Sequence, residues 1–137
     1  MPEPDKTVII VDDDHDFLEM NRRVLVQNGY RVLCCTNYED ALRCIKKHRP
    51  SLVVTDLMMD SMDSGFVLSR RIKQDPELQG IAVIIVTAAS SRHGFDFKPQ
   101  TPEELAGMNA DAYFDKPLSC PVFLKKVSEL TRGRKKG

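Results

Sequence analysis

In the stretch VIIVDDD, residues 8–14, four apolar residues are followed directly by three carboxylates. Three more apolar runs end on polar residues in the same way: LVVTD at 52–56, IAVIIVT at 81–87 and AYFDKP at 112–117. Short apolar runs separated by segments of helical period are typical of parallel strands that are buried on both faces. Ligands bind at the carboxyl ends of such strands. The sequence therefore predicts a polar site built from strand ends.

Helices are predicted between these runs. Asp14 can cap a helix over about residues 15–28, which Gly29 closes. A strand over 31–35 follows, and Thr36 with Glu39 fits a capping box for the next helix, which Pro50 stops. On the first of these helices, the residues predicted to face inward are Phe17, Leu18, Val24 and Leu25. On the second, they are Tyr38, Ala41, Leu42 and Ile45.

The second half of the chain continues the alternation. Ser64-Gly65 opens a third helix that ends at Asp75-Pro76, a short helix is predicted over 101–109, a fifth strand over 111–115 and a last helix over 119–131. On the third predicted helix, the residues that face inward are Phe66, Leu68 and Ile72, and those that face outward are Arg70, Arg71 and Lys73. On the last helix, the inward residues are Val122, Phe123, Val127 and Leu130. The order βαβαβαβαβα predicts a right-handed, doubly wound α/β sandwich with a five-stranded parallel sheet.

Composition limits the function classes. The chain has 137 residues, enough for one domain with a proper core, and its 20 Lys and Arg balance its 20 Asp and Glu. A nucleic-acid-binding protein would be expected to carry a basic field, which this balance does not provide. The longest apolar stretch, 81–89, is too short to cross a bilayer, and no secretory signal is evident, so we expect a cytoplasmic protein.

The four cysteines, Cys34, Cys35, Cys44 and Cys120, lack the spacing of a zinc site. Cys34 and Cys35 are neighbours in a predicted strand, where adjacent side chains face opposite sides and cannot easily bridge. Buried or half-buried free thiols are therefore the favoured interpretation.

The residues at the strand ends have the chemistry needed for phosphoryl transfer. A carboxylate can attack phosphorus and form an acyl phosphate, but nucleophile and target are both negative, so Mg²⁺ must bridge them. A lysine and a hydroxyl can hold the other phosphoryl oxygens. The sequence offers Asp12 and Asp13 for the metal, Asp56 as nucleophile, Thr87 as hydroxyl and Lys116 as cation. Each could instead be an ordinary loop or surface residue, and Asp14 is expected only to cap its helix.

The segments VIIVDDD, LVVTDLMM followed by MDSGF, IIVTA and ADAYFDKP occur in an order and at spacings that resemble one family. Together they span residues 7–130. The chain resembles the receiver domain of two-component response regulators, in the manner of the stand-alone chemotaxis receiver. The resemblance implies a flavodoxin-like fold and a receiver domain over residues 1–131. The basic segment over 132–137 lacks apolar periodicity and is expected to be a disordered tail.

The resemblance also implies a role for each matching residue. Asp56 would be the phospho-acceptor, and Mg²⁺ would be held by Asp13 directly, by Asp12 mostly through water, and by the Met58 carbonyl. Thr87 and the Ala88 N–H would hold phosphoryl oxygens, and Lys116 would pair with the phosphate. Tyr113 would turn inward when Thr87 moves.

The implied partners are a sensor histidine kinase or phosphotransfer protein, which donates phosphoryl from phosphohistidine, and an unknown downstream protein. Direct nucleic-acid binding and membrane association are not expected of this chain, which would be a monomer or a weak, phosphorylation-dependent dimer. It would not be an enzyme of the usual kind, since it catalyses its own phosphorylation and dephosphorylation. Two alternatives remain: a receiver-like binding module that is never phosphorylated, and a haloacid-dehalogenase-type phosphatase that uses the D-x-D pattern of Asp12 and Asp14.

The chain also departs from the family pattern. Asp60 stands where a proline is expected, and one extra residue precedes Gly65. Met58 and Ala89 are apolar and cannot orient a hydrolytic water, which suggests a long-lived phosphoryl group. The stretch from Thr87 to Asn109 is several residues longer than usual, and the excess lies over residues 90–100.

Overall fold

A computed structural model describes residues 7–56, 64–87, 110–115 and 120–132. The strands are β1 (Thr7–Val11), β2 (Arg31–Cys35), β3 (Leu52–Asp56), β4 (Ala82–Thr87) and β5 (Ala112–Asp115). The helices in these ranges are α1 (His15–Gln27), α2 (Tyr38–His48), α3 (Ser64–Gln74) and α4 (Cys120–Arg132). The predicted helix over 101–109, the long stretch over 90–100, Asp60 and Ala89 lie outside the described residues.

All five strands form one parallel sheet in the order β2-β1-β3-β4-β5. The chain moves from β1 outward to β2 and then returns to the other side of β1 for β3. The strand order therefore reverses between β1 and β3, and their carboxyl ends flank the crevice where this class of sheet binds ligands. The predicted fold class is confirmed.

Helices cover both faces of the sheet, because successive strand residues point to opposite sides. One core cluster joins alternate strand residues, including Ile9, Val53 and Val83, to α2 and α3. The other joins their neighbours, including Val8 and Ile10, to α1 and α4. Because both faces are buried, the strands read as continuous apolar runs rather than as alternating ones.

Helix α1 begins and ends as predicted. The Asp14 side chain accepts hydrogen bonds from the backbone N–H groups of Asp16 and Phe17. At the other end Gly29 adopts φ +92°, a left-handed conformation that glycine takes without strain. Its N–H donates to the Val26 carbonyl at 3.1 Å, and the Tyr30 N–H donates to the Leu25 carbonyl at 3.0 Å, which together satisfy the end of the helix.

The capping prediction for α2 was wrong by one residue. Asn37, not Thr36, is the N-cap, and its Oδ1 accepts from the Asp40 N–H at 2.8 Å. Its side-chain Nδ2 also donates to the Asp40 carboxylate at 3.0 Å. The Asn37–Asp40 pair has the same spacing as the predicted Thr36–Glu39 pair, so the sequence pattern alone did not separate the two.

Two predicted side-chain positions were also wrong. Val122 is 55% exposed, because it lies on the first turn of α4 and turns away from the sheet. Lys73 was predicted to face outward, but its side chain is only 21% exposed. Its Nζ donates to the Ile81 carbonyl at 2.8 Å and to Asp111 Oδ2 at 2.9 Å, so α3 is tied to the starts of β4 and β5.

Within the described ranges, no helix combines the length and the apolar character needed to cross a bilayer. The described helices form the outer layers of the sandwich, with α1 and α4 on one face of the sheet and α2 and α3 on the other.

Candidate metal and phosphoryl site

Three carboxylates meet at the point where the strand order reverses. Asp12 and Asp13 follow β1 directly, and Asp56 is the last residue of β3. One carboxylate oxygen from each lies within 4.8 Å of the other two. Asp12 is 0% exposed and Asp56 5%, whereas Asp13 is exposed. The sequence predicted this grouping, and the structure brings the three residues together.

The sheet register explains why Asp12 and Asp56 meet. Val11 lies opposite Thr55 in the pairing of β1 with β3, so the next residue of each strand occupies the same edge. The Asp12 N–H donates to the Cys35 carbonyl at 3.0 Å, which continues the β1–β2 pairing by one residue and fixes the Asp12 backbone. Asp12 Oδ1 in turn accepts from the Asp14 N–H at 2.9 Å, which orients its carboxylate.

The grouping suits a hard divalent cation. Two full negative charges at such a separation repel each other by roughly 3 kcal/mol at the effective dielectric of sites near a protein surface. Burial removes much of the water that would otherwise offset this repulsion for Asp12 and Asp56. Carboxylate oxygens are the ligands that Mg²⁺ takes in proteins, usually one or two of them together with waters. Two buried carboxylates and one exposed carboxylate therefore fit a magnesium ion that keeps part of its hydration shell.

The backbone of Thr87 lies at the same edge of the sheet. In the β3–β4 register Asp56 is opposite Val86, so Thr87 is the next residue of β4 beyond that pair. Thr87 is itself opposite Asp115 of β5, the residue before Lys116. The side chain of Thr87 and all of Met58, Ala88 and Lys116 lie outside what the structure describes.

Tyr113 lies on β5, opposite Ile85 of β4. Its side chain is partly buried and packs against the core cluster that carries α2 and α3. Its role as a switch stays a prediction.

Asp14 and His15 follow Asp13 in the chain but do not belong to the acidic grouping. The Asp14 carboxylate caps α1, at 3.0 Å from the Asp16 N–H and 3.3 Å from the Phe17 N–H. Among the described residues, Asp12 is grouped with Asp13 and Asp56 rather than with Asp14, which argues against the D-x-D phosphatase alternative. His15, the first residue of α1, is exposed.

Sequence reasoning missed the contribution of Cys35. Its carbonyl holds the Asp12 backbone, and its side chain is 6% exposed in the core. Burial, together with a hydrogen bond to the Cys44 side chain, raises the pKa of the Cys35 thiol to about 12. The linear sequence does not indicate this carbonyl contact. The contact follows from the pairing of β1 with β2, which is known only once the strand order is known.

Comparison with known proteins identifies the family to which this arrangement corresponds. The model of the response regulator receiver domain matches residues 8–128. A polar-differentiation response regulator, DivK, from Brucella anthropi is 30% identical over 122 residues, covering 89% of this chain and 93% of that protein.

Solved structures agree. The signal receiver domain of a signal transduction histidine kinase from Syntrophus aciditrophicus superposes with a TM-score of 0.78 at 27% identity, covering 96% of this chain and 94% of that one. The chemotaxis response regulator CheY4 of Vibrio cholerae has a TM-score of 0.75 at 21% identity, covering 90% and 97%. The second likeness supports the fold alone.

Proposed function

The chain belongs to the response regulator receiver domain family of two-component signalling, and we propose that it accepts a phosphoryl group on Asp56 in a Mg²⁺-dependent reaction. The observation that carries this proposal is the grouping of Asp12, Asp13 and Asp56, with carboxylate oxygens within 4.8 Å of one another. The grouping lies at the topological switch point, where a ligand has access to the carboxyl ends of β1 and β3.

Asp12 and Asp13, with Asp56 and the Met58 carbonyl, would hold the magnesium ion. When bound, the ion supplies positive charge that offsets the repulsion between the nucleophile and the phosphoryl oxygens. Asp12 is suited to positioning, because its backbone and one carboxylate oxygen are already fixed by hydrogen bonds to Cys35 and Asp14. Asp13 is exposed and can therefore contact a hydrated ion directly.

Asp56 would act as nucleophile. One carboxylate oxygen forms a bond to phosphorus, and the bond from phosphorus to the phosphohistidine nitrogen of the donor breaks, leaving histidine to take up a proton. Thr87, the Ala88 N–H and Lys116 would bind the phosphoryl oxygens as charge shifts onto them. The position of the Thr87 backbone one residue beyond the Asp56–Val86 pair supports its part in this assignment.

Phosphorylation would switch a protein-interaction surface. Movement of Thr87 toward the phosphate would let Tyr113 turn inward, two strand positions before Asp115 on the neighbouring β5. We propose a sensor histidine kinase or phosphotransfer protein as donor and an unknown downstream protein as target. A cytoplasmic location, a domain over residues 1–131 with a tail over 132–137, and a monomer or weak phosphorylation-dependent dimer belong to the same proposal.

Incubation with acetyl phosphate tests the proposal. With Mg²⁺ present, the intact mass should rise by one phosphoryl group, and a chelator should prevent the rise. Asp56→Asn should abolish labelling, because the amide cannot attack phosphorus. Asp14→Asn is the matched control: it also removes a carboxylate beside the site, yet asparagine still caps the helix, so labelling should persist.

Two results would contradict the proposal. Labelling that survives in Asp56→Asn would move the nucleophile elsewhere, as a phosphatase using Asp12 would require. Absence of any adduct, in protein that still binds Mg²⁺, would favour the receiver-like binding module that is not phosphorylated.

A further inference from the structure

Strand β5 is held by fewer neighbours than β1, β3 and β4. It has four residues, Ala112–Asp115, and lies at the edge of the sheet, where it pairs with β4 alone. A strand with a neighbour on each side has its register fixed twice, whereas the register of β5 depends on β4. This register matters for the candidate site, because Tyr113 lies on β5 and Lys116 follows it directly.

The register decides which face of the sheet each β5 side chain occupies. Phe114 packs edge-to-face on Phe123 of α4, with 6.0 Å between the ring centroids. Tyr113 packs on the opposite face, against the core cluster under α2 and α3. A slip of one residue would exchange the faces of the two β5 rings, because side chains alternate along a strand. It would also shift Lys116 by about 3.3 Å relative to Thr87.

Asp111 anchors β5 directly before its first residue. Its backbone N–H donates to the Val83 carbonyl at 2.7 Å, and its Oδ2 accepts from the Val83 N–H at 2.8 Å. Both backbone groups of one buried β4 residue are therefore bound by one residue of the facing segment. Ala110 and Ala112, on either side of Asp111, have no side-chain acceptor. A slip of one residue in either direction would thus deprive the buried Val83 N–H of its carboxylate partner, at a cost in free energy.

Lys73 holds the carboxylate that makes this contact. Its Nζ donates to Asp111 Oδ2 at 2.9 Å and to the Ile81 carbonyl at 2.8 Å. The two charged side chains are partly buried, with 21% of Lys73 and 31% of Asp111 exposed. A charge-assisted hydrogen bond of this kind is stronger than an ion pair on the open surface, since less water competes for it. The Asp111 carboxylate is therefore kept aimed at Val83.

We propose that Asp111, held by Lys73, is a positioning residue that sets the register of β5 on β4 and so places Tyr113 and Lys116 for the phosphoryl site. The Asp111 contact lies at the amino end of β5, whereas the acidic grouping lies at the carboxyl ends of the strands. The four residues of β5 separate the two by about 13 Å, so Asp111 acts on the site only through the register. The consequence for phosphoryl transfer rests on the proposed function, whereas the register assignment does not.

The register is tested by NMR on the full chain. The unmodified protein should show contacts between the Phe114 and Phe123 rings and backbone contacts between Tyr113 and Ile85. Asp111→Ala should weaken or abolish both and speed amide exchange in β5 by about tenfold or more. Asp111→Asn keeps an acceptor oxygen at this position and should restore both contacts. Unchanged contacts and unchanged exchange in folded Asp111→Ala would overturn the assignment.

Two further variants separate the register from a general loss of stability. Asn37→Ala destabilises the chain at the start of α2, where Asn37 bonds to Asp40, so the β5 contacts should persist. Lys73→Met keeps most of the side chain but removes Nζ, and it should weaken the β5 contacts even if Asp111→Ala does not fold. Equal losses of the β5 contacts in Asn37→Ala, or intact β5 contacts in Lys73→Met when Asp111→Ala is unfolded, would overturn the assignment.

The effect on the phosphoryl site is tested by the rate at which acetyl phosphate labels Asp56, with Mg²⁺ affinity measured separately by calorimetry. Asp111→Ala should slow labelling about tenfold or more, because Lys116 is misplaced, and Asp111→Asn should recover most of the rate. Mg²⁺ affinity should stay within about twofold, since the three carboxylates lie at the ends of β1 and β3, with which β5 does not pair.

An unchanged labelling rate in Asp111→Ala, or a loss of Mg²⁺ affinity as large as the loss of rate, would overturn the positioning role. No labelling of the unmodified chain would instead count against the proposed function. The NMR contacts use neither magnesium nor a phosphoryl donor, so the register assignment would stand or fall on them alone.

Discussion

Asp12, Asp13 and Asp56 differ in solvent contact, and that difference sets what each can contribute. The two buried carboxylates are held by the sheet, and the exposed Asp13 is the member that a hydrated ion can meet first. Mutual repulsion among the three carboxylates destabilises the folded state when no cation is bound. Sites that tolerate such a cost are commonly functional rather than structural.

Asp13→Asn should stabilise the metal-free protein, because it removes one of the mutually repelling charges at an exposed position. We expect a gain of about 1 kcal/mol, or roughly 3 °C in melting temperature for a chain of this size. The same substitution should reduce the stabilisation produced by Mg²⁺, since fewer ligands favour the folded state. Thermal melts in chelator and in Mg²⁺ measure both effects.

Asp14→Asn serves as the control for that experiment. It removes a neighbouring carboxylate that caps α1 and lies outside the acidic grouping, so both melting temperatures should stay close to those of the unmodified chain. If Asp13→Asn kept the full response to Mg²⁺, Asp13 would not be a ligand.

At the scale of elements, the sequence predicted most of the framework because the signals were local. Hydrophobic period, the Asp14 cap and Gly29 identified α1, and the apolar runs identified the strands to within one residue. The misplaced α2 cap and the two misassigned side chains, Lys73 and Val122, depend on tertiary contacts. Whether Lys73 faces solvent is decided by Asp111, 38 residues away.

Asn37→Ala should destabilise the protein by about 1 kcal/mol, the usual cost of losing a side-chain cap. The Asp40 N–H would lose its acceptor at the start of α2. Thr36→Ala, at the position that the sequence pattern favoured, should cost clearly less. Urea denaturation of the two variants compares them, and equal losses would contradict the assignment of Asn37 as the cap.

Asp111→Ala should cost about 2 kcal/mol, because it leaves a buried donor without its acceptor. Asp111 Oδ2 accepts from the Val83 N–H at 2.8 Å and from Lys73 Nζ at 2.9 Å, joining β4, β5 and α3. Asp111→Asn keeps an oxygen in place and should lose less. Denaturant midpoints of both variants measure the difference.

A matched exposed pair checks the Asp111 result. Glu77 and Arg49 form an ion pair whose side chains are 69% and 59% exposed, so Glu77→Ala should change stability by no more than about 0.5 kcal/mol. A loss in Glu77→Ala as large as that in Asp111→Ala would show that partial burial is not what makes the Lys73–Asp111 contact strong.

At the scale of the whole molecule, the site exists because the strand order reverses between β1 and β3. Residues 44 positions apart, Asp12 and Asp56, become neighbours through register alone. The sequence predicted which residues would meet, because all parallel strands end at one edge. It did not predict which backbone groups would hold them, since the Cys35 contact requires knowing that β2 pairs with β1.

The most direct test of Asp56 as the phospho-acceptor is to locate the phosphoryl group in the chain. After phosphorylation with acetyl phosphate and Mg²⁺, borohydride reduces an aspartyl phosphate to homoserine, and peptide mass spectrometry finds the altered residue. We predict homoserine at position 56. Modification at Asp12 or Asp13 instead, with Asp56 unchanged, would contradict it.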